Sequence, residues 1–199
     1  MASTPTKVIL LNGPPGCGKD IGTSFLCEQF GGEHQEFKKK LYELVMCIYS
    51  VPASRFWEIY NNRELKEKPL EEFEGLSVRQ AMIKVSEEAI KPVYGKEYFG
   101  IAAARALKEG SVNVFSDSGF IEELNPLIRK VGKENILLLR IFRPGCSFEG
   151  DSRNYLGQDA VLNYMDIQNN SDIAAYQRSL VEWTRQFLNS RNYNADYPV

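Results

Sequence analysis

The chain has 199 residues, 43% hydrophobic and 25% charged, with a net charge of −2. That supplies a core for one domain with inserted elements, and the near-neutral balance gives no electrostatic reason to expect a nucleic-acid partner. No apolar run is long enough to span a membrane and no secretory pattern opens the sequence; four cysteines without a C-x-x-C pair, beside a single histidine, argue against a Cys/His metal site and for a reducing, cytoplasmic setting.

The apolar run at 7–11 predicts a buried parallel strand. Gly13-Pro14-Pro15-Gly16-Cys17-Gly18-Lys19-Asp20 follows it, and residues 19–30 predict a helix stopped by Gly31-Gly32. Strand, glycine-rich loop, helix is the setting in which G-x-x-x-x-G-K is a phosphate cradle. Glycines let backbone N–H groups converge on phosphate oxygens, and the helix N-terminus adds positive potential. Lys19 supplies a point charge for the β- and γ-phosphates of ATP. The candidate phosphate-binding residues are Gly13, Gly16, Cys17, Gly18, Lys19, Asp20 and Ile21. A Ser or Thr hydroxyl normally follows the lysine and ligates Mg²⁺. Asp20 stands there instead, and a carboxylate can ligate Mg²⁺ directly or through water. Thr23, one turn on, is an alternative hydroxyl, with an ordinary helix-surface threonine as the competing reading.

A short extended piece at 34–37 comes next, and 38–110 reads as almost wholly helical. Residues 38–49 form one helix, broken at Val51-Pro52. Residues 54–61 form another, 62–75 are charged and irregular, and a helix from 78 ends at Pro92. Ser77 and Gln80 have the spacing of a capping box at its start. Residues 98–109 form the last helix of the segment, closed by Gly110. Lys38, Arg79 and Glu87 are its candidate ligand contacts. Arg79 stands out because it lies in a capped first turn, where backbone N–H groups also attract phosphate.

Strand and helix then alternate again: strand 111–116, helix 121–131 with Pro126 inside, strand 136–142, strand 161–167 and helix 171–189. Asp117 falls just past a buried strand, where ligands of parallel sheets bind and where an acid can order Mg²⁺; capping of the next helix is the competing reading. The connection at 143–158 is longer than usual and carries Arg143, Asp151 and Arg153. Arginines on a closing loop can neutralise a phosphoryl group in transfer, so Arg143 and Arg153 join Lys19 and Asp117 as catalytic candidates. Arg140, inside an apolar strand, must find a partner or face the site.

Taken together these segments resemble the bacteriophage deoxynucleoside monophosphate kinases of the phosphate-loop nucleotide kinase superfamily. The resemblance rests on Gly13–Asp20, with Asp after the lysine, and on Ser77-Val78-Arg79-Gln80 with the later Ser86–Pro92 and Gly95–Phe99 stretches. It also rests on Ser116-Asp117 with Phe120, and on Arg143-Pro144-Gly145 with Asp151-Ser152-Arg153-Asn154. Gly119 departs from the arginine of better-known members, leaving more of the phosphate contact to Arg143 and Arg153.

The resemblance implies an α/β phosphate-loop NTPase core with a parallel five-stranded sheet flanked by helices. The core would be 1–37 and 111–199, with a helical acceptor-binding insertion at 38–110 and a lid at 143–158. It implies ATP and Mg²⁺ as cofactors, Mg²⁺ at Asp20 and Asp117, and a deoxynucleoside monophosphate acceptor contacted by Lys38, Arg79 and Glu87. It places the enzyme in a cytoplasm, that of the host if viral, and allows a homodimer. The residues alone support a phosphate-loop kinase for a small acceptor, and another metabolite remains the alternative.

Overall fold

A computed structural model describes residues 4–190. Its centre is β1 (Lys7–Asn12), whose residues from Val8 to Asn12 are all buried. A strand covered on both faces needs apolar side chains on both, so it reads as an unbroken run. The phosphate loop follows, then α1 (Lys19–Phe30), stopped by Gly31 at φ 61 as expected for a glycine C-cap. β2 (Glu33–Gln35) is short and lies slightly earlier than expected, leaving Phe37 and Lys38 in a turn.

The helical segment contains α2 (Lys39–Ile48), α3 (Ala53–Asn61), α4 (Arg63–Glu67), α5 (Val78–Lys84), a π-helical stretch at Val85–Ile90, α6 (Lys91–Tyr94) and α7 (Tyr98–Ala106). Three expectations are corrected here. The 62–75 stretch is not wholly irregular, because the Asn62 side chain accepts from the Glu64 and Leu65 N–H groups and caps α4. Nor does Pro92 end its helix. The preceding π turn widens the ladder that a proline would otherwise break, and the chain stays helical to Tyr94. α7 stops at Ala106, because the Asn113 side chain bonds both N–H and C=O of Lys108 and holds that segment out of the helix.

β3 (Val112–Ser118), α8 (Ile121–Val131), β4 (Ile136–Phe142), β5 (Asn163–Gln168) and α9 (Ile173–Asn189) complete the chain. Pro126 sits within α8 without ending it. β5 starts two residues later than expected, since Val161 turns into the core before the ladder begins. The five strands are all parallel, in the order β2-β3-β1-β4-β5. The phosphate loop, Asp117, Arg143 and Asn169 therefore all lie at or beyond the carboxyl ends of strands, on one edge of the sheet.

Three apolar clusters hold this arrangement. One joins a sheet face (Val8, Leu10, Phe115, Leu138) to α7 and α8. A second joins the other face (Ile9, Leu11, Val114, Leu139) to α1 and α9 through Leu26, Tyr176, Leu180 and Phe187. The third, including Leu41, Val45, Phe56, Phe73, Val78 and Phe99, is drawn wholly from the segment between α2 and α7. That segment thus has a core of its own. No helix among the described residues is long and apolar enough to cross a membrane.

Candidate active site

The loop after β1 is held open by its glycines. Gly16 and Gly18 have φ of 78° and 105°, a left-handed region that costs a residue with a Cβ. A Cβ on Gly13 would stand 2.6 Å from Cys17 Sγ and 2.7 Å from the Ile141 carbonyl oxygen. One on Gly18 would stand 2.7 Å from Asn169 Nδ2. The loop is braced from β5 and α9: Asn169 Nδ2 donates to the Cys17 carbonyl at 2.8 Å and Tyr176 Oη to the Gly18 carbonyl at 3.1 Å. Neither Asn169 nor Tyr176 stood out in the sequence, where Tyr176 reads as an ordinary core aromatic.

Lys19 is 8% exposed, and its Nζ donates to the Gly13 and Pro14 carbonyls at 2.6 and 2.7 Å. The ammonium lies over the loop it must serve, and burial lowers its pKa, opposed mainly by the neighbouring Cys17. Cys17 is fully buried under the loop, and burial pushes its thiol up, which keeps it protonated and unreactive. Asp20 and Ile21 lie exposed on the first turn of α1. Thr23 does not: it is fully buried, its hydroxyl without a partner among the described residues. A threonine packed beneath the helix is neither the surface residue nor the Mg²⁺ hydroxyl of the two sequence readings.

Asp117 is 4% exposed, with Oδ1 accepting from Phe37 N–H at 3.0 Å and Oδ2 from Lys38 N–H at 3.1 Å. It therefore pins the head of α2, rather than capping the helix that follows it in sequence. Lys38 stands at that head, tied to Asp117 through its backbone. The structure brings Asp117, Lys38 and the phosphate loop to the same edge of the sheet.

Arg143 follows β4 and its Nη1 donates to the Gly16 carbonyl at 3.1 Å, so it reaches the loop directly. Arg153 is half-buried and forms a two-pronged pair with Asp151, Nε to Oδ1 at 2.9 Å and Nη2 to Oδ2 at 2.6 Å. That pair holds the Asp151 carboxyl well down, at about 2. Arg153 also lies against Gly119: a Cβ there would stand 2.7 Å from Arg153 Cβ and 2.9 Å from its Cγ. Only glycine leaves room for the arginine at that place.

The 143–158 connection has two parts. Residues 143–150 are largely exposed turns. Residues 154–156 are strapped to the sheet by Asn12, which is fully buried. Asn12 Nδ2 donates to the Ser118 and Asn154 carbonyls at 3.0 and 3.1 Å, and its Oδ1 accepts from Leu156 N–H at 2.8 Å. Tyr155 stacks on Phe142 and donates to the Ile141 carbonyl. In the sequence Asn12 was only the last residue before the glycines.

In the helical segment, the capping box forms with Gln80 N–H on Ser77 Oγ at 3.2 Å and Ser77 N–H on Gln80 Oε1 at 2.9 Å. Arg79 is exposed and pairs with Glu67 at 3.3 Å, and its charge also helps lower the Asp151 carboxyl. Glu87 accepts from Lys91 Nζ at 2.6 Å and from Ser86 Oγ at 3.0 Å on the π turn. Arg140 finds its partner in the sheet, a two-pronged pair with Asp166 of β5, so it does not serve the site.

Sequence reasoning missed Glu123. It is 8% exposed in the first turn of α8, and burial, then the charge of Asp117, raises its carboxyl to about 8. In sequence it was one of two consecutive acids at a helix start, and nothing separated it from Glu122. Glu36 shifts the same way for the same two causes.

No family model matches this sequence, and no curated protein matches it. Among solved structures, a protein of Chloroflexus aurantiacus provisionally described as a kinase aligns over 92% of this chain and 98% of its own, at 13% identity and a TM-score of 0.51. At that identity it speaks for the fold alone. The shared fold is a five-stranded parallel sheet flanked by helices, with the glycine-rich loop after its first strand. Also similar are a sugar kinase from Janibacter sp. (11% identity, 91% of this chain and 95% of that one, TM-score 0.47) and a shikimate kinase from Acinetobacter baumannii in complex with shikimate (12%, 93% and 94%, 0.41). Both are too distant to argue from. Within this fold, the residues gathered at the strand ends are Lys19, Asp117, Lys38, Arg143 and Arg153, while Arg79 and Glu87 lie on the helical segment.

Proposed function

We propose that the protein transfers the γ-phosphoryl group of ATP to a deoxynucleoside monophosphate, giving the diphosphate and ADP. The observation that carries this reading is the convergence of the Lys19 loop, Asp117 and the two arginines of the β4–β5 connection beside a helical segment with its own core. An acceptor-phosphate oxygen attacks the γ-phosphorus. The bond to the β–γ bridging oxygen breaks, and its electron pair leaves with ADP. The acceptor phosphate is already ionised, so no general base is needed. Lys19 would exchange its two carbonyl partners for β- and γ-phosphate oxygens, and the backbone around Gly16 and Gly18 would take the remaining charge. Arg143 is already at the loop, and Arg153 lies against Gly119 just past β3.

Mg²⁺ fits this donor set as a shared ion, bound by one or two carboxylates and the nucleotide phosphates, with Asp20 and Asp117 as the protein's part. Bound there, it would neutralise charge on the phosphates. Among the described residues no group of three acidic, Cys or His side chains could hold a metal without the nucleotide.

The acceptor would lie between the helical segment and the ends of β2 and β3, with Lys38, Arg79 and Glu87 as its contacts. Its deoxynucleotide character rests on the sequence resemblance. A charge-assisted contact to phosphate is worth about 1.5–3 kcal/mol, so Arg79→Ala should cost the acceptor about ten- to a hundredfold in kcat/KM and leave ATP affinity nearly intact. The deciding assay offers each deoxy- and ribonucleoside monophosphate with Mg·ATP and follows ADP release. Turnover of a non-nucleotide acceptor, with none of the deoxy forms used, would refute the substrate and keep the kinase.

A further inference from the structure

Glu123 is a buried ionisable group that the phosphate chemistry leaves unused. Its carboxyl has no hydrogen-bond or ion-pair partner among the described residues, although the side chain is more than nine-tenths buried. Its position is fixed by tight packing, because Gly100 of α7 lies against the Glu123 backbone with no room for a Cβ. The charges that act on it come from four elements: Asp117 at the end of β3, Lys38 at the head of α2, Lys91 after the π turn, and Arg153 in the β4–β5 connection. In the kinase reading above these are the elements that would border the acceptor. An acceptor's phosphate has arginines and lysines to meet it, which leaves the carboxyl free for another partner. It suits the uncharged part of an acceptor, which presents hydroxyl and ring N–H groups.

We propose that Glu123 reads the acceptor, its carboxyl hydrogen-bonding a hydroxyl or ring-nitrogen group of the small molecule seated between the helical segment and the sheet. The proposal rests on the kinase reading above. The carboxyl has no protein partner, so an acceptor that hydrogen-bonds it replaces the water it gives up, whereas an analogue lacking the group leaves it unpaired. Glu123 would then discriminate among acceptors without contributing to phosphoryl transfer.

The test compares Glu123→Gln, Glu123→Leu and the neighbouring control Glu122→Gln with the parent. KM for ATP and kcat/KM for each accepted nucleotide are measured, and folding is checked by thermal melts. Glu123→Leu should lower acceptor kcat/KM about ten- to a hundredfold while ATP KM stays within twofold. Glu123→Gln should change the ratio of kcat/KM between two accepted bases by about tenfold, which a purely structural residue would not do. Parent-like acceptor kinetics and ratios in the folded variants would overturn the proposal, and if the leucine variant does not fold, the glutamine ratios decide alone. Should the parent refuse every deoxynucleotide, the substrate reading fails, and Glu123 is judged on whichever acceptor is used. A panel with no acceptor at all overturns both.

Discussion

Asn12→Ala tests whether the far half of the β4–β5 connection is part of the sheet or a free flap. Asn12 makes three hydrogen bonds, to the Ser118 and Asn154 carbonyls and from Leu156 N–H, and is itself fully buried. At about 1 kcal/mol net for each bond, the loss is about 3 kcal/mol. In a protein of this size that lowers Tm by about 6–12 °C. Water can reach the Asn154 side of the site more easily than the other two, so the lower half of that range is the better expectation. Asn154→Ala is the control. The Asn12 bond uses only its backbone, and its side chain gives up only an exposed bond from Tyr155 N–H, so the variant should melt much closer to the parent than Asn12→Ala. Differential scanning calorimetry gives the stabilities, and steady-state kinetics show whether releasing the strap also misplaces Arg153, which would lower kcat. An Asn12→Ala variant that melts within 2 °C of the parent and turns over normally would refute the anchoring role.

Lys19→Met keeps the buried stem and removes the charge, so it should remain folded while single-turnover phosphoryl transfer falls about a hundred- to a thousandfold; a loss below tenfold would contradict the role given to the loop. Arg153→Ala is expected to lower kcat more than it raises the KM for ATP, because the contact matters as charge spreads in transfer. If KM for ATP rises in step with the fall in kcat/KM while kcat holds, Arg153 only binds the ground state. Glu123 also predicts a pH effect. Its carboxyl titrates near 8 in the folded protein, against an ordinary value of 4.5. Between those values the folded state holds the extra proton, so the contribution of Glu123 to stability falls as pH rises through that window. Glu123→Gln should therefore gain more in Tm over the parent at pH 8.5 than at pH 5, and an equal difference at both would show that the group titrates normally.

The central strands β1 and β4 were legible because they are buried on both faces and read as nearly unbroken apolar runs; the edge strands β2 and β5 are partly exposed and polar. The phosphate loop was legible because its glycines and lysine are tied to a strand on one side and a helix on the other. What escaped depends on distant partners. Asn12, Asn169 and Tyr176 act through backbone atoms more than a hundred residues away, and no local pattern marks such contacts. Asp117 was expected at the site as a Mg²⁺ carboxylate, with capping of the next helix as the competing reading; it is found pinning the head of a different helix, α2, brought there by the β2–β3 pairing. Pro92 misled because a proline normally ends a helix, and the π turn that absorbs it has no sequence signal of its own. The significance of Gly119 became visible only when Arg153 was found lying across it.

α7 deserves a mechanical reading. Near one end, Phe99 is packed into the core of the helical segment, while Ala103, Ala104 and the following Leu107 are packed into the core beneath the sheet. Beside Phe99, Gly100 lets the helix touch α8 at the Glu123 backbone. One stiff beam thus spans both cores, with a fulcrum at α8, beside the Phe37–Lys38 crossing that Asp117 pins. A tilt of the helical segment must turn that beam, and the beam must press on the first turn of α8. Substitutions along its buried face, far from any phosphate, would then alter the leverage between the two cores while leaving each of them intact.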